Sequence, residues 1–153
     1  MKIGILSDTH GFLEPKILKL FSGVDHILHA GDVGNTFIKF ELEQIAPTTA
    51  VLGNTDIGLP FQETEIVELA AKKFLVQHIV TPNALGDRLK ARLVKEQPHA
   101  VIFGHTHKKF AEALNGIFFF NPGYCGKPKF GVERSVAFLH CDESGLRHEF
   151  IPL

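Results

Sequence analysis

The chain has 153 residues, 44% of them hydrophobic and 22% charged, a balance that suits a folded domain and excludes extended disorder. A formal net charge of -1 leaves no general basic field to hold a long nucleic acid, and no apolar run approaches the roughly 18 residues that cross a membrane. Cys125 and Cys141 lack Cys-x-x-Cys spacing and make no disulfide framework, so a reducing, cytoplasmic setting is expected.

The length fits one domain over residues 1–153 that buries roughly two-thirds of its unfolded surface. Lys2 to Ser7 reads as a buried strand that opens at Asp8-Thr9-His10-Gly11, and no signal-peptide core precedes it. Pro15 suits the first turn of a helix running to Phe21. His26 to Ala30 is a second strand, stopping at Gly31-Asp32. Thr36 to Ile45 is the next helix, ending before Pro47, and Thr49 to Leu52 is a third strand that breaks at Gly53-Asn54.

The character changes after Phe61. Residues around Ile66 and the strand Lys73 to Gln77 suggest an antiparallel pair turning near Ala70-Ala71, and the second strand ends at His78. Asp87 is expected to cap a helix to about Gln97, with Leu89 and Leu93 on its inner face. Val101-Ile102-Phe103 then empties into Gly104-His105-Thr106-His107. Asn115-Gly116 marks a hairpin between Phe110–Leu114 and Ile117–Phe120, because a type I′ turn needs positive φ at both positions. A last hairpin joins Ser135–Cys141 to Leu146–Ile151. The amino-terminal half therefore reads βαβαβ and the final third mostly antiparallel strand, a mixed α/β fold.

Nine histidines stand beside one tyrosine, one methionine and no tryptophan, and their placement is not random. Asp8, His10, Asp32, Asn54, His78, His105 and His107 all fall where an apolar run opens into a loop, which is where open α/β sheets gather functional groups. Imidazoles, carboxylates and an amide oxygen form a ligand set for two divalent ions about 3.5–4 Å apart. Such a pair needs an anionic bridge, and Asp32 is the carboxylate chosen for it. His29 is a candidate partner behind the ligands, and Asp56 either orients a ligand or caps the following turn. Lys108, Lys109, Lys127, Lys129 and Arg134 either meet a phosphate or form a solvated face.

In this order, Asp8-Thr9-His10, Gly31-Asp32, Gly53-Asn54, His78 and Gly104-His105-Thr106-His107 resemble the motifs of the calcineurin-like metallophosphoesterases. The compact length and Asn121-Pro122-Gly123 are similar to the small single-domain phosphodiesterase branch of bacteria and archaea. The resemblance implies a four-layer α/β/β/α sandwich, two mixed sheets flanked by helices, with a dimetal site at the strand ends. It implies Asp8, His10 and His107 on one metal, Asn54, His78 and His105 on the other, and Asp32 between them, with Asn54, His78 and His105 also counted as catalytic. Two divalent ions are implied, manganese first, with iron, nickel or zinc as alternatives. The implied reaction is hydrolysis of small or nucleotide-like phosphodiesters by a hydroxide held between the cations.

Three positions depart from the family pattern. Thr55 stands where many relatives place a histidine after Gly-Asn that would protonate the leaving group. General acid catalysis is worth about 10² to 10⁴-fold, so its loss favours diesters or activated leaving groups over alkyl monoesters. Ile79 replaces the glycine usual after His78, and Tyr124 replaces a serine after Asn-Pro-Gly, either walling the cleft or packing, with packing preferred. The other readings are a non-catalytic protein-interaction scaffold like the retromer subunit and a nuclease acting on long nucleic acid. All seven ligand positions are filled, which favours the enzyme over the scaffold, and the absence of a basic-aromatic patch disfavours the nuclease. Fourteen phenylalanines leave room for a Phe-rich surface hidden in a homo-oligomer.

Overall fold

Side chains on the first strand, β1 (Lys2–Leu6), divide between two apolar layers. Ile3 and Ile5 enter one and Leu6 the other, the two-residue alternation of a strand covered on both faces. The computed structural model describes residues 1–153. In it β1 is followed by α1 (Pro15–Leu20), β2 (His26–His29), α2 (Thr36–Glu43) and β3 (Thr48–Ala50), and the three strands pair in parallel. Pro15 occupies the first helical turn of α1, where its missing N–H is no loss. The Asn35 side chain caps α2 by accepting from the Ile38 N–H at 3.3 Å.

The second half opens with an antiparallel hairpin, β4 (Thr64–Leu69) and β5 (Lys72–Gln77). It turns through Ala70 and Ala71 at φ 49° and 59°, left-handed conformations that such turns normally give to Asn and Gly. α3 (Asp87–Glu96) follows, and here the sequence expectation needs correcting. The cap is Gly86, and Asp87 lies inside the first turn, where a carboxylate complements the positive end of the helix dipole. Gln97 closes α3 at φ 48°, ahead of Pro98. β6 (Ala100–Ile102), β7 (Phe110–Leu114), β8 (Ile117–Asn121), β9 (Ser135–Asp142) and β10 (Gly145–Pro152) complete the chain.

Two five-stranded sheets result, ordered β10-β9-β1-β2-β3 and β4-β5-β6-β8-β7. Both are mixed: β9 runs antiparallel to β1, while β8, hairpinned with β7, runs parallel to β6. The last third is thus less uniformly antiparallel than its sequence suggests. Ile3, Ile5 and Leu28 of the first sheet meet Phe74, Val76 and Phe120 of the second in a central apolar layer. Ile17 and Phe21 of the α1 region and Ile38 and Leu42 of α2 cover the outer face of the first sheet over Ile27 and Phe138. Leu89 and Leu93 of α3 cover the second over Leu75, Val101 and Phe119. Helix, sheet, sheet, helix is the four-layer order, and each buried Leu, Ile or Phe contributes roughly 1.5–3 kcal/mol to it. Most of the phenylalanines are taken up in this way; Phe37, Phe40 and Phe130 stay exposed.

Candidate metal centre

The loops that leave β1 and β2 are stitched to each other by backbone hydrogen bonds, as are those that leave β5 and β6. Asp8 and His10 donate to the Gly31 and Asp32 carbonyls at 3.0 and 2.9 Å, and Gly104 donates to the His78 carbonyl at 3.0 Å. Gly53 and Gly104 allow this closeness, since a Cβ at either would lie 2.0 Å from Asp32 Oδ1 or from Ser7 Oγ. The chain also bends sharply at the functional residues themselves. Asp8, His10, Asp32, His105 and His107 all have φ between 47° and 69°, a conformation costing about 1–2 kcal/mol for a residue with a Cβ. Five of the seven predicted ligands share it, and such strain collects where side-chain aim matters more than backbone comfort.

Asp8, Asp32 and His78 are buried and form the floor, while Asn54 and His105 lie exposed at the mouth. Asp8 Oδ2 accepts from the Ser7 hydroxyl at 2.6 Å and the His105 N–H at 3.2 Å. Its other oxygen, Oδ1, faces Nε2 of His107 at 3.2 Å and of His10 and His78 at 3.8 Å each. Asp32 is held likewise, Oδ1 accepting from the Thr55 N–H at 2.9 Å and Oδ2 facing Nε2 of His78 at 3.2 Å and of His10 at 3.7 Å. Asn54 Oδ1 and His105 Nδ1 meet at 2.9 Å, and the His105 ring lies 5.4 Å from that of His78. All seven predicted residues therefore converge on one place.

Two atoms test whether this place suits a cation. Asp8 Oδ1 and His78 Nε2 are buried without a hydrogen-bond partner, a condition that costs about 1–3 kcal/mol per group. His78 Nδ1 lies 2.6 Å from the Ala30 carbonyl oxygen; a carbonyl only accepts, so Nδ1 carries the proton and Nε2 turns its lone pair toward the carboxylates. Lone pairs of an imidazole and two carboxylates facing one another call for positive charge between them. The ligand atoms of Asp8, His10 and His107 lie mutually within 4.8 Å, as do those of Asp8, Asp32 and His78. Burial pushes the Asp32 carboxyl upward, but the Thr55 N–H and hydroxyl, with His78 and His10, more than offset it and hold Asp32 below the usual range. Burial also lowers His107 against the pull of Asp8, which favours the neutral imidazole that ligates.

Residues 1–144 match the family model of the calcineurin-like phosphoesterase superfamily domain. The chain belongs to this superfamily. A probable metallophosphoesterase of Methanocaldococcus jannaschii is 41% identical over 163 residues, covering 100% of this chain and 82% of the relative. A protein of the same organism named a phosphodiesterase is 31% identical over 159 residues, with 86% of this chain and 92% of the relative covered. Among solved structures, a novel archaeal phosphodiesterase superposes with a TM-score of 0.80 at 26% identity, covering 100% of each chain. Vps29 of Entamoeba histolytica, complexed with zinc, shares the fold at a TM-score of 0.75 and 20% identity over 99% of each chain.

Around this phosphoesterase centre lie residues that the motifs alone do not identify. His29 is fully buried; Gly31 N–H donates to its Nδ1 at 3.2 Å and its Nε2 meets Thr9 Oγ1 at 2.9 Å. Burial lowers its pKa to about 3, despite the opposing pull of Asp56 and Asp32. Asp56 joins two ligand loops, accepting from the N–H groups of Val33, Gly34 and Gly53 at 3.0, 2.8 and 2.8 Å. Tyr124 is 1% exposed and packs its ring 4.7 Å from that of His107, so it packs, and does so against a predicted ligand. Arg134 is engaged with Glu14 and the Gly126 carbonyl, and Lys109 with Glu133, which ties both into the structure. The Ser7 hydroxyl and the Ala30 carbonyl went unmarked, since neither serine nor a backbone oxygen carries a motif.

Proposed function

We propose that this phosphoesterase hydrolyses small or nucleotide-like phosphodiesters with two divalent ions, manganese foremost. Asp8, His10 and His107 would hold one ion, Asn54, His78 and His105 the other, and Asp32 would be shared between them. The observation that carries this reading is the unpartnered, buried pair Asp8 Oδ1 and His78 Nε2, each aimed by a bond at its far side: Ser7 behind Asp8 and Ala30 behind His78. Bound together, two such ions supply Lewis acidity and bring the pKa of water toward about 7.

The chain's own contribution is positioning. Asp32 Oδ1 is occupied by the Thr55 N–H, which leaves Oδ2 turned toward the imidazoles of His78 and His10. His78 is fixed as the Nδ1–H tautomer, its Nδ1–H donating to the Ala30 carbonyl, so its Nε2 lone pair stays in the site. Asn54 and His105 stand at the exposed mouth beside the open groove, where an N–H of the Asn54 amide would donate to a phosphoryl oxygen and stabilise its growing charge; His78, its Nδ1 engaged with Ala30 and its Nε2 turned into the site, would act by holding the ion. Thr55 offers no good acid to a leaving oxygen, which is why diesters and activated esters are the expected substrates. The phosphodiesterase names of archaeal and bacterial relatives support the same choice. No helix is long and apolar enough to cross a membrane, and two buried free cysteines suit a reducing cytoplasm.

The test is the ratio of diesterase to monoesterase activity, with bis(p-nitrophenyl) phosphate and p-nitrophenyl phosphate, in the wild type and Thr55→His. An imidazole at position 55 should raise monoester turnover relative to diester turnover by about tenfold or more. A ratio that is unchanged, or moves toward the diester, contradicts the assignment of substrate class. Absence of all turnover with manganese, nickel and zinc would leave the scaffold role.

A further inference from the structure

We infer that the groove beside the candidate metal centre binds a second phosphate of a nucleotide-type substrate through Arg88, Arg92 and Lys95; this rests on the phosphodiesterase reading above. The groove has a volume of about 860 Å³ and runs from Asn54 and His78 to the outer face of α3. Arg88, Arg92 and Lys95 line it at positions i, i+4 and i+7 of that helix, one face and about 10 Å of helix length. Leu89 and Leu93, on the adjoining face, are buried against the second sheet and fix the row in place.

The charge of the groove is local, since the whole chain carries -1. Two carboxylates, Asp56 and Glu63, share its lining, and the three cations outnumber them. Asp56 already accepts three backbone N–H groups. Glu63 lies 3.9 Å from Arg88 with side chains 75% and 96% exposed, a solvated pair that yields readily to a phosphate. Glu96 lies 3.6 Å from Arg92 along the helix. Guanidinium forks match phosphate oxygens two at a time, which a lone ammonium does not. Leu52 and Ile79 add apolar surface to an otherwise largely polar lining, and Ile79, in place of the expected glycine, is 47% exposed. A groove that leads from the candidate centre past these apolar side chains to a row of cations fits a base or sugar followed by a further phosphate. A small nucleotide supplies this; a long polyanion would need basic charge beyond the groove.

The experiment compares kcat/KM for two dinucleotides that differ only in a terminal phosphate, 5′-phosphorylated ApA and ApA. The manganese-loaded wild type should prefer the phosphorylated one by about tenfold or more, the worth of one charge-assisted contact. The Arg88→Ala/Arg92→Ala/Lys95→Ala variant should bring the ratio close to one. A second readout needs no catalysis: ADP binding to metal-stripped protein by calorimetry should weaken about tenfold in the same variant. Alanine favours helix, and circular dichroism confirms that α3 is kept. Equal efficiency on the two dinucleotides, a ratio that survives in the variant, or unchanged ADP binding would overturn the inference. Bis(p-nitrophenyl) phosphate is run alongside with the wild type. Its turnover without any dinucleotide preference defeats the groove alone, whereas no turnover defeats the phosphodiesterase reading and leaves ADP binding to decide the groove.

Discussion

Replacing Asp56 should loosen the metal centre without touching a metal. Its Oδ2 accepts from Val33 and Gly53, and its Oδ1 from Gly34, so one side chain clamps the loop carrying Asp32 to the loop carrying Asn54. A hydrogen bond to a charged acceptor is worth about 1.5–3 kcal/mol net. Asp56→Asn keeps one carbonyl oxygen for the Val33 and Gly53 donors, but turns an NH₂ toward the Gly34 N–H, losing one bond and opposing two donors. The expected destabilisation is about 2–3 kcal/mol. Asp56→Ala removes both acceptor oxygens and all three bonds, and water reaching this half-buried position limits the loss to about 3–6 kcal/mol. Manganese affinity should fall about 10–100-fold in both, the usual effect of disturbing groups that orient ligands. Urea unfolding of the metal-free protein gives the first quantity and calorimetric titration the second, while kcat at saturating manganese should recover to within a few-fold of wild type. Wild-type stability together with wild-type metal affinity in Asp56→Asn would refute the clamp.

Two further predictions concern stability. His29 has a folded pKa of about 3 against an ordinary 6.5, so the unfolded chain takes the proton first; the stability His29 contributes is full above pH 6.5 and is lost as the pH falls toward 3. Metal-free wild type should lose roughly 3 kcal/mol more than His29→Gln between pH 7 and pH 4, seen in urea midpoints, and parallel profiles would contradict the burial argument. Ala70 and Ala71 turn the β4–β5 hairpin with left-handed backbones; Ala70→Asn with Ala71→Gly should stabilise the protein by about 1–2 kcal/mol. A lower unfolding midpoint for that double variant would show that the turn is not strained.

Much of the candidate centre was legible because its residues come in short local motifs. Asp8-Thr9-His10 and Gly104-His105-Thr106-His107 name their residues in one glance, and each follows a short apolar run that reads as a buried strand. What supports those ligands was not legible. The Ala30 carbonyl that sets the His78 tautomer lies 48 residues away, and a backbone oxygen leaves no mark in a sequence. Asp56 looked equally like a turn cap, because its three donors belong to loops that only the tertiary fold brings together. The Phe-rich run Ile117 to Asn121 announced a strand but not its direction, and its parallel pairing with β6 depends on the sheet as a whole. Asp87 fits the residue preference for a cap, yet Gly86 takes the position and Asp87 serves the dipole from within the first turn. Arg88, Arg92 and Lys95 of α3 belong to no motif, and only the fold brings them to the groove that His78 also lines.

The most direct test of the centre is hydrolysis of bis(p-nitrophenyl) phosphate by metal-stripped protein as manganese is added in known equivalents, for wild type and Asp32→Asn. Turnover should be absent without metal and plateau at two equivalents per chain in the wild type. Asp32→Asn should lose it by two orders of magnitude or so, as expected when a bridging carboxylate becomes a neutral amide. Turnover in the presence of excess chelator, a plateau at one equivalent, or an Asp32→Asn variant as active as wild type would contradict a paired-metal phosphodiesterase.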